Sequence, residues 1–155
     1  MIQRIQTIYL LIAAILTGML FSGPVATCLI NDGKLFEIWL SGITGTTQGE
    51  TVSSGQFWPI WVLAGLIMFL LLWSIFLFRR RTSQMRIVVY TAILLAGLEV
   101  LIIYYIHHYA GLVSSTDISY TFLVVFPVVT IVLLVLAIRA IRKDELLATA
   151  YQRLR

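Results

Sequence analysis

Charge is scarce in this chain. Asp, Glu, Lys and Arg make up 12% of its 155 residues, against roughly 25% in an ordinary soluble domain. The apolar residues, at 60% and a mean hydropathy of +0.97, exclude a water-soluble globule. One cysteine, Cys28, excludes an intrachain disulfide, a paired-cysteine redox site and a thiolate zinc cluster, and with them a membrane thiol oxidase. Two histidines, His107 and His108, are adjacent in the chain. Neighbouring residues on a helix point in different directions, so one chain offers no bis-His haem site across two helices. No nucleophile-base pair, metal set or phosphate loop is visible, so the expectation is a non-enzymatic protein without a cofactor.

What the chain has in quantity is long apolar blocks. They cover residues 5–30, 58–78, 87–106 and 120–138, each near the length that crosses a bilayer core at about 1.5 Å per helical residue. The first block runs from Ile5 either to Phe21 or on to Ile30, interrupted by Ser22, Gly23, Pro24 and Thr27, and either limit can span. The expected fold is an all-α integral membrane protein, a bundle of four spans in one domain. Outer loops cover 31–57 and 107–119, an inner loop 79–86, and a tail 139–155 continues span four as a helix. Leu146, Leu147, Ala150 and Leu154 keep helical spacing there, suited to the membrane surface or to a docked partner.

The basic residues fix an expected orientation. Arg4, the Arg79 to Arg81 run, Arg86, Arg139, Arg142, Lys143, Arg153 and Arg155 all fall on one side, leaving only Lys34 on the other. Both termini are thus expected in the cytoplasm. The net charge of +4 reports topology, because a nucleic-acid partner would need a basic face on a soluble module. The expected partners are the lipid bilayer and either another protein or further copies of the chain. Trp58, Trp61, Tyr104, Tyr105, Tyr109 and Tyr120 gather at the outer ends of spans, and Tyr9 and Tyr90 at the inner level, as headgroup-seeking aromatics do.

Val25 to Cys28 faintly resembles a lipoprotein processing site. Thr before the cut and the single basic Arg4 ahead of the block favour an uncleaved first helix instead. In the first outer loop, Leu35 to Leu40 is strand-forming, Gly42, Gly45 and Gly49 are turn signals, and Thr51 to Ser53 can return. A small extracytoplasmic β-hairpin is therefore expected, with an irregular loop as the alternative. Val113 to Ser119 can add a strand to it.

Glu99 is the one acid well inside a span, and such residues usually face protein or water. Ala96 and Ala92 precede it by one and two turns, which lets a neighbouring helix approach. Two readings stay open for it. In the first, Glu99 is a structural hydrogen-bonding tie pointing into the bundle; in the second, it is a proton- or cation-coupling carboxylate of a small transporter. A water-linked path to His107, about 12 Å along the helix, has no further support. In span one, Ala14, Gly18 and Ser22 form another small-residue stripe. Pro24 and Pro127 are tolerated where neighbours satisfy the backbone.

The opening Met1 to Thr7, Pro24 to Ala26, Tyr120 to Pro127 and the closing Leu136 to Glu145 resemble a family of four-span inner-membrane proteins of Bacteroidota described as a domain of unknown function. The resemblance covers the whole chain. It implies a location in the bacterial inner membrane and carries over no catalytic residues. Phe36 to Ser41, in a long first outer loop, is similar to the claudin-type layout, but the paired loop cysteines of that family are absent, so only architecture compares. Small multidrug exporters also have four spans, but their acid lies in span one and their charge bias is weak, unlike Glu99 and the basic bias here. The expected role is a structural or accessory subunit of an inner-membrane assembly, with the transporter as the alternative.

Overall fold

The computed structural model describes residues 3–29, 35–47, 50–77, 81–112 and 117–153. Among them four helices, α1 (Gln3–Met19), α2 (Trp58–Phe76), α3 (Arg81–Leu112) and α4 (Phe126–Arg153), are joined by five short strands, β1 (Ala26–Leu29), β2 (Leu35–Trp39), β3 (Gly42–Thr47), β4 (Glu50–Gln56) and β5 (Asp117–Tyr120). Residues 58–76, 82–108 and 122–143 are helical stretches long and apolar enough to cross a membrane, and 6–19 is a shorter apolar helix.

The first apolar block is not one continuous helix, and the helix ends near the shorter of its two expected limits. After Met19 the backbone tightens, with the amides of Leu20, Phe21 and Ser22 donating to the carbonyls three residues back, a common way for a helix to end. Pro24 has no amide to continue the ladder. The residues beyond it, with β-branched Val25 and Thr27, enter β1. The expected span of 5–30 is thereby corrected to a 17-residue helix and a strand. At the other helix pair the expected inner loop 79–86 is shorter. Residues 78–80, including Arg79 and Arg80, lie outside the described residues, and Arg81 already belongs to α3. Residues 107–112, expected as loop, extend α3, and the expected helical tail is the continuation of α4 to Arg153.

Buried positions recur at alternating steps of three and four along every helix. They are Gln6, Leu10, Ala13 and Thr17 on α1; Ile60, Ala64, Ile67, Leu71 and Ser74 on α2; Gln84, Val88, Thr91, Leu95, Leu98 and Ile102 on α3; and Thr130, Leu134, Ala137 and Ile141 on α4. This 3.5-residue repeat is the seam of left-handed helix packing. The helices close a ring in which α1 and α3 each pack against both α2 and α4. Outside the seams the surface stays apolar, as Phe69, Phe76, Ile93 and Val132 illustrate, which is what contact with lipid tails requires.

The fold is mainly helical, as expected, but the small β element is larger than the expected hairpin: an antiparallel sheet of order β4-β3-β2-β1-β5. Leu35–Trp39 does not pair with Thr51–Ser53. Between them lies β3, opposite β2 through Glu37↔Thr44 and opposite β4 through Thr44↔Ser53. Gly42 and Gly45, read as turn signals, are strand residues of β3 in an otherwise Ile- and Thr-rich segment suited to extended backbone. The added strand in the second loop does form as β5, but on β1, with Ala26↔Tyr120. Residues 113–116 of that loop, together with Asp32, Lys34 and Gly49, lie outside the described residues.

The sheet alternates as a half-buried sheet should. Ile38 and Leu40 are buried while Glu37 is exposed, its carboxylate accepting from Trp39 Nε1 at 3.1 Å. The inward residues plug one end of the bundle. Val25, Ile38, Leu40, Phe57, Ile102 and Ile106 help to line a cavity of about 10 Å³ there, no larger than one water needs.

Candidate functional site

In a chain so poor in polar groups, those at membrane depth are the candidates. Thr17, Thr91 and Thr130 are fully buried at seam positions. Each hydroxyl donates to the carbonyl four residues back on its own helix, to Ala13 at 2.9 Å, Ile87 at 2.8 Å and Phe126 at 2.8 Å. Each hydroxyl's single donor is thus spent on its own helix rather than on a neighbouring one.

A polar clamp sits at the end of the bundle remote from the sheet. Gln84, near the start of α3, is buried and donates from Nε2 to the Ser74 carbonyl at 3.1 Å. That carbonyl also receives the capping amide of Leu77, so the clamp ties the last turn of α2 to the first turns of α3. Gln6 of α1 is buried as well. Sequence reasoning missed the clamp. Its signal was a glutamine at a seam position, legible only once the three-four spacing is read through Gln84.

Glu99 lies on the flank of the α3 seam, half-buried, next to the fully buried Leu98. Its Oε2 is enclosed and has no hydrogen-bond partner; among the described residues Ser74 Oγ is in the same condition. The enclosed Oε2 lies within the chain, and among the described residues no donor reaches it. The flanking stripe differs from expectation. Ala96 is exposed and Ala92 only half-buried, so among the described residues no helix covers Ala96. The stripe of α1 does pack. Ala14 is buried, and a Cβ added to Gly18 would lie 3.7 Å from Met68 Cε of α2, whereas Ser22 is exposed beyond the helix.

His107 and His108 are exposed at the sheet end of α3 and face different partners. His107 Nε2 is 3.2 Å from the Tyr120 hydroxyl, joining α3 to β5, while the His108 ring stacks on Tyr104 with centroids 5.7 Å apart. Glu99 and His107 are separated by two turns of helix, and the structure does not bring them together. Trp58, Trp61, Tyr104 and Tyr120 are more than half exposed at this level, as is Tyr90 toward the other end. Tyr105 instead packs edge-on against Phe57 at 5.0 Å. Cys28 is buried in β1. Among the described residues no three His, Cys, Asp or Glu side chains gather to hold a metal.

A family model described as Domain of unknown function (DUF4293) matches residues 2–154. No curated protein matches the chain.

Proposed function

The chain belongs to the DUF4293 family, and from that premise we propose that it is a non-enzymatic structural or accessory subunit of an assembly in a bacterial inner membrane. In this reading α1 is the fourth span, both termini are cytoplasmic, and the sheet caps the bundle on the outer side. The observation that carries it is the filling of the bundle. Most seam positions hold apolar side chains or threonines bonded to their own helices, and the other polar ones, Gln6, Ser74 and Gln84, sit at the end remote from the sheet. A solute path needs convergent polar groups, and the cavity under the sheet is lined by apolar and aromatic side chains such as Ile38, Phe57 and Ile102.

A second reading, a small proton-coupled transporter, is favoured by one specific observation, the unpartnered Oε2 of Glu99. Intramembrane carboxylates often mark ion pathways. Two measurements on the full-length protein separate the readings. Purified chain reconstituted in vesicles is expected to carry no proton flux, and native purification is expected to recover it in a complex of fixed stoichiometry. Proton flux by the parent that Glu99→Gln abolishes without loss of thermal stability would overturn the accessory reading, because an amide cannot cycle a proton.

A further inference from the structure

The outer face of α4 changes character along its length. Counted from Val132, the residues Val135, Leu136, Arg139, Arg142 and Lys143 lie three, four, seven, ten and eleven positions on, the spacing of one helical stripe. All six are exposed, while Ala137 and Ile141 on the opposite face are fully buried. The stripe is apolar as far as Leu136 and cationic from Arg139 on. Like charges three and four residues apart on a helix repel each other, and an anion over the face would relieve that repulsion. Asp144 and Glu145 come next in the chain. At three and four residues past Ile141 they continue the spacing of the seam and not that of the stripe.

The change falls at a definite depth. The apolar helical stretch begins at Phe122. From there the 3-10 turn to Val125 and α4 as far as Ile138 rise about 28 Å, close to the ~30 Å of a bilayer core. The three cations thus stand where phosphate headgroups begin, with exposed apolar side chains on their membrane side. We propose that this stripe binds one anionic glycerophospholipid of the inner leaflet, its phosphate held by Arg139, Arg142 and Lys143 and an acyl chain lying along Leu136, Val135 and Val132. The proposal rests on the membrane-spanning reading given above.

The occupant follows from the order of the two halves. A soluble phosphate compound would engage the cations and leave the apolar half in contact with bulk lipid. A zwitterionic lipid would cover the apolar half but bring a cation of its own to a face that already has three. An acidic protein in the cytoplasm would not reach Val132, about 10 Å inside Arg139. A lipid of net negative headgroup meets both halves at once, and arginine offers its phosphate a planar fork of donors. The grouping also separates this face from the other inner cations. Arg86 on α3 is exposed, but the residues three and four away from it are Thr82, Ser83, Val89 and Tyr90, so it brings no second charge to a phosphate.

The test titrates full-length protein in a non-ionic detergent with phosphatidylglycerol, counts bound lipid by native mass spectrometry, and repeats the titration with phosphatidylcholine of the same chains. One phosphatidylglycerol should be retained in preference. The triple variant Arg139→Gln, Arg142→Gln and Lys143→Gln should weaken its binding about a hundred-fold, at about five-fold per cation near a headgroup, and leave phosphatidylcholine unmoved. Arg4→Gln with Arg86→Gln and Arg153→Gln removes the same formal charge elsewhere on that side and should leave the lipid in place. On the unmodified protein, which needs no variant to fold, raising the salt should release phosphatidylglycerol and not phosphatidylcholine, and millimolar glycerol phosphate should release neither. Equal retention of the two lipids, equal losses in the two triple variants, indifference to salt, or displacement by glycerol phosphate would each overturn the proposal. No partner protein and no proton gradient enters the measurement, so its failure leaves the accessory reading standing.

Discussion

A threonine in a membrane bundle can be glue between helices or a local ornament, and the acceptor decides which. Thr130 bonds Phe126 of its own helix, so Thr130→Val removes a donor and strands nothing. The expected cost is within about 1.5 kcal/mol. Leu134, one turn further along the same seam and fully buried, has no such slack: Leu134→Ala should cost about 2–5 kcal/mol through lost packing and the cavity left behind. Thermal unfolding of the purified variants in one detergent gives the comparison, and a Thr130→Val loss as large as that of Leu134→Ala would show that the hydroxyl reaches across helices. Gln84 offers the converse case. Its amide serves a carbonyl already capped by Leu77, so Gln84→Leu should shift stability by no more than about 1.5 kcal/mol. Glu99 was legible in the sequence as the acid inside a span. What could not be read there was its position half a step off the seam, because that depends on which of two adjacent residues, Leu98 or Glu99, the neighbouring helices select.

At the scale of elements, the three long helices were plain from long apolar runs, and the strand-forming character of 35–40 and 51–53 was visible as well. The errors came from punctuation. Gly23 and Pro24 end α1, although proline inside a span can be tolerated where neighbours satisfy the freed carbonyl. Here the chain leaves the bundle instead, and the amides of Val25 and Thr121 find partners in Ile38 and Val25. Gly42 and Gly45 look like turns by composition, but in a sheet a glycine is also simply a residue without a side chain, and β3 uses both. The stripe of α1 leads to a prediction of its own. A Cβ on Gly18 would meet Met68 Cε at 3.7 Å, an ordinary contact, so Gly18→Ala should leave stability unchanged or raise it slightly by the helix preference for alanine. Gly18→Leu would push α1 from α2 and should lower the melting temperature clearly. Equal tolerance of both would mean that the α1–α2 contact carries little of the fold.

For the whole molecule the open question is the standing of α1, which has 17 residues and so covers about 25 Å, against a hydrocarbon core near 30 Å. Its contacts argue that it crosses. Phe21, just past its end, meets Trp61 at the start of α2 with ring centroids 6.3 Å apart, and Gly18 approaches Met68 further along α2. Earlier residues of α1 thus meet later residues of α2, so the two run antiparallel, and the start of α1 lies with the end of α2 that precedes Arg79 to Arg81. The tight turns to Ser22 lengthen it, and a short mismatch is absorbed by tilt, flanking residues or local bilayer thinning. A four-span chain must then have its first residue on the side of the 78–80 connection, while a three-span chain with α1 outside would carry it on the side of the sheet. The other reporters cannot tell these apart. Cytoplasmic reporters after Arg81 and Arg155 and a periplasmic reporter after Ser115 should be active in both. The tag that decides is at Met1: in intact cells it should resist a protease or a membrane-impermeant label and become reactive only on lysis. Reactivity of that tag in intact cells, with an unchanged pattern at Arg81 and Arg155, would place α1 on the outer face and reduce the bundle to three spans.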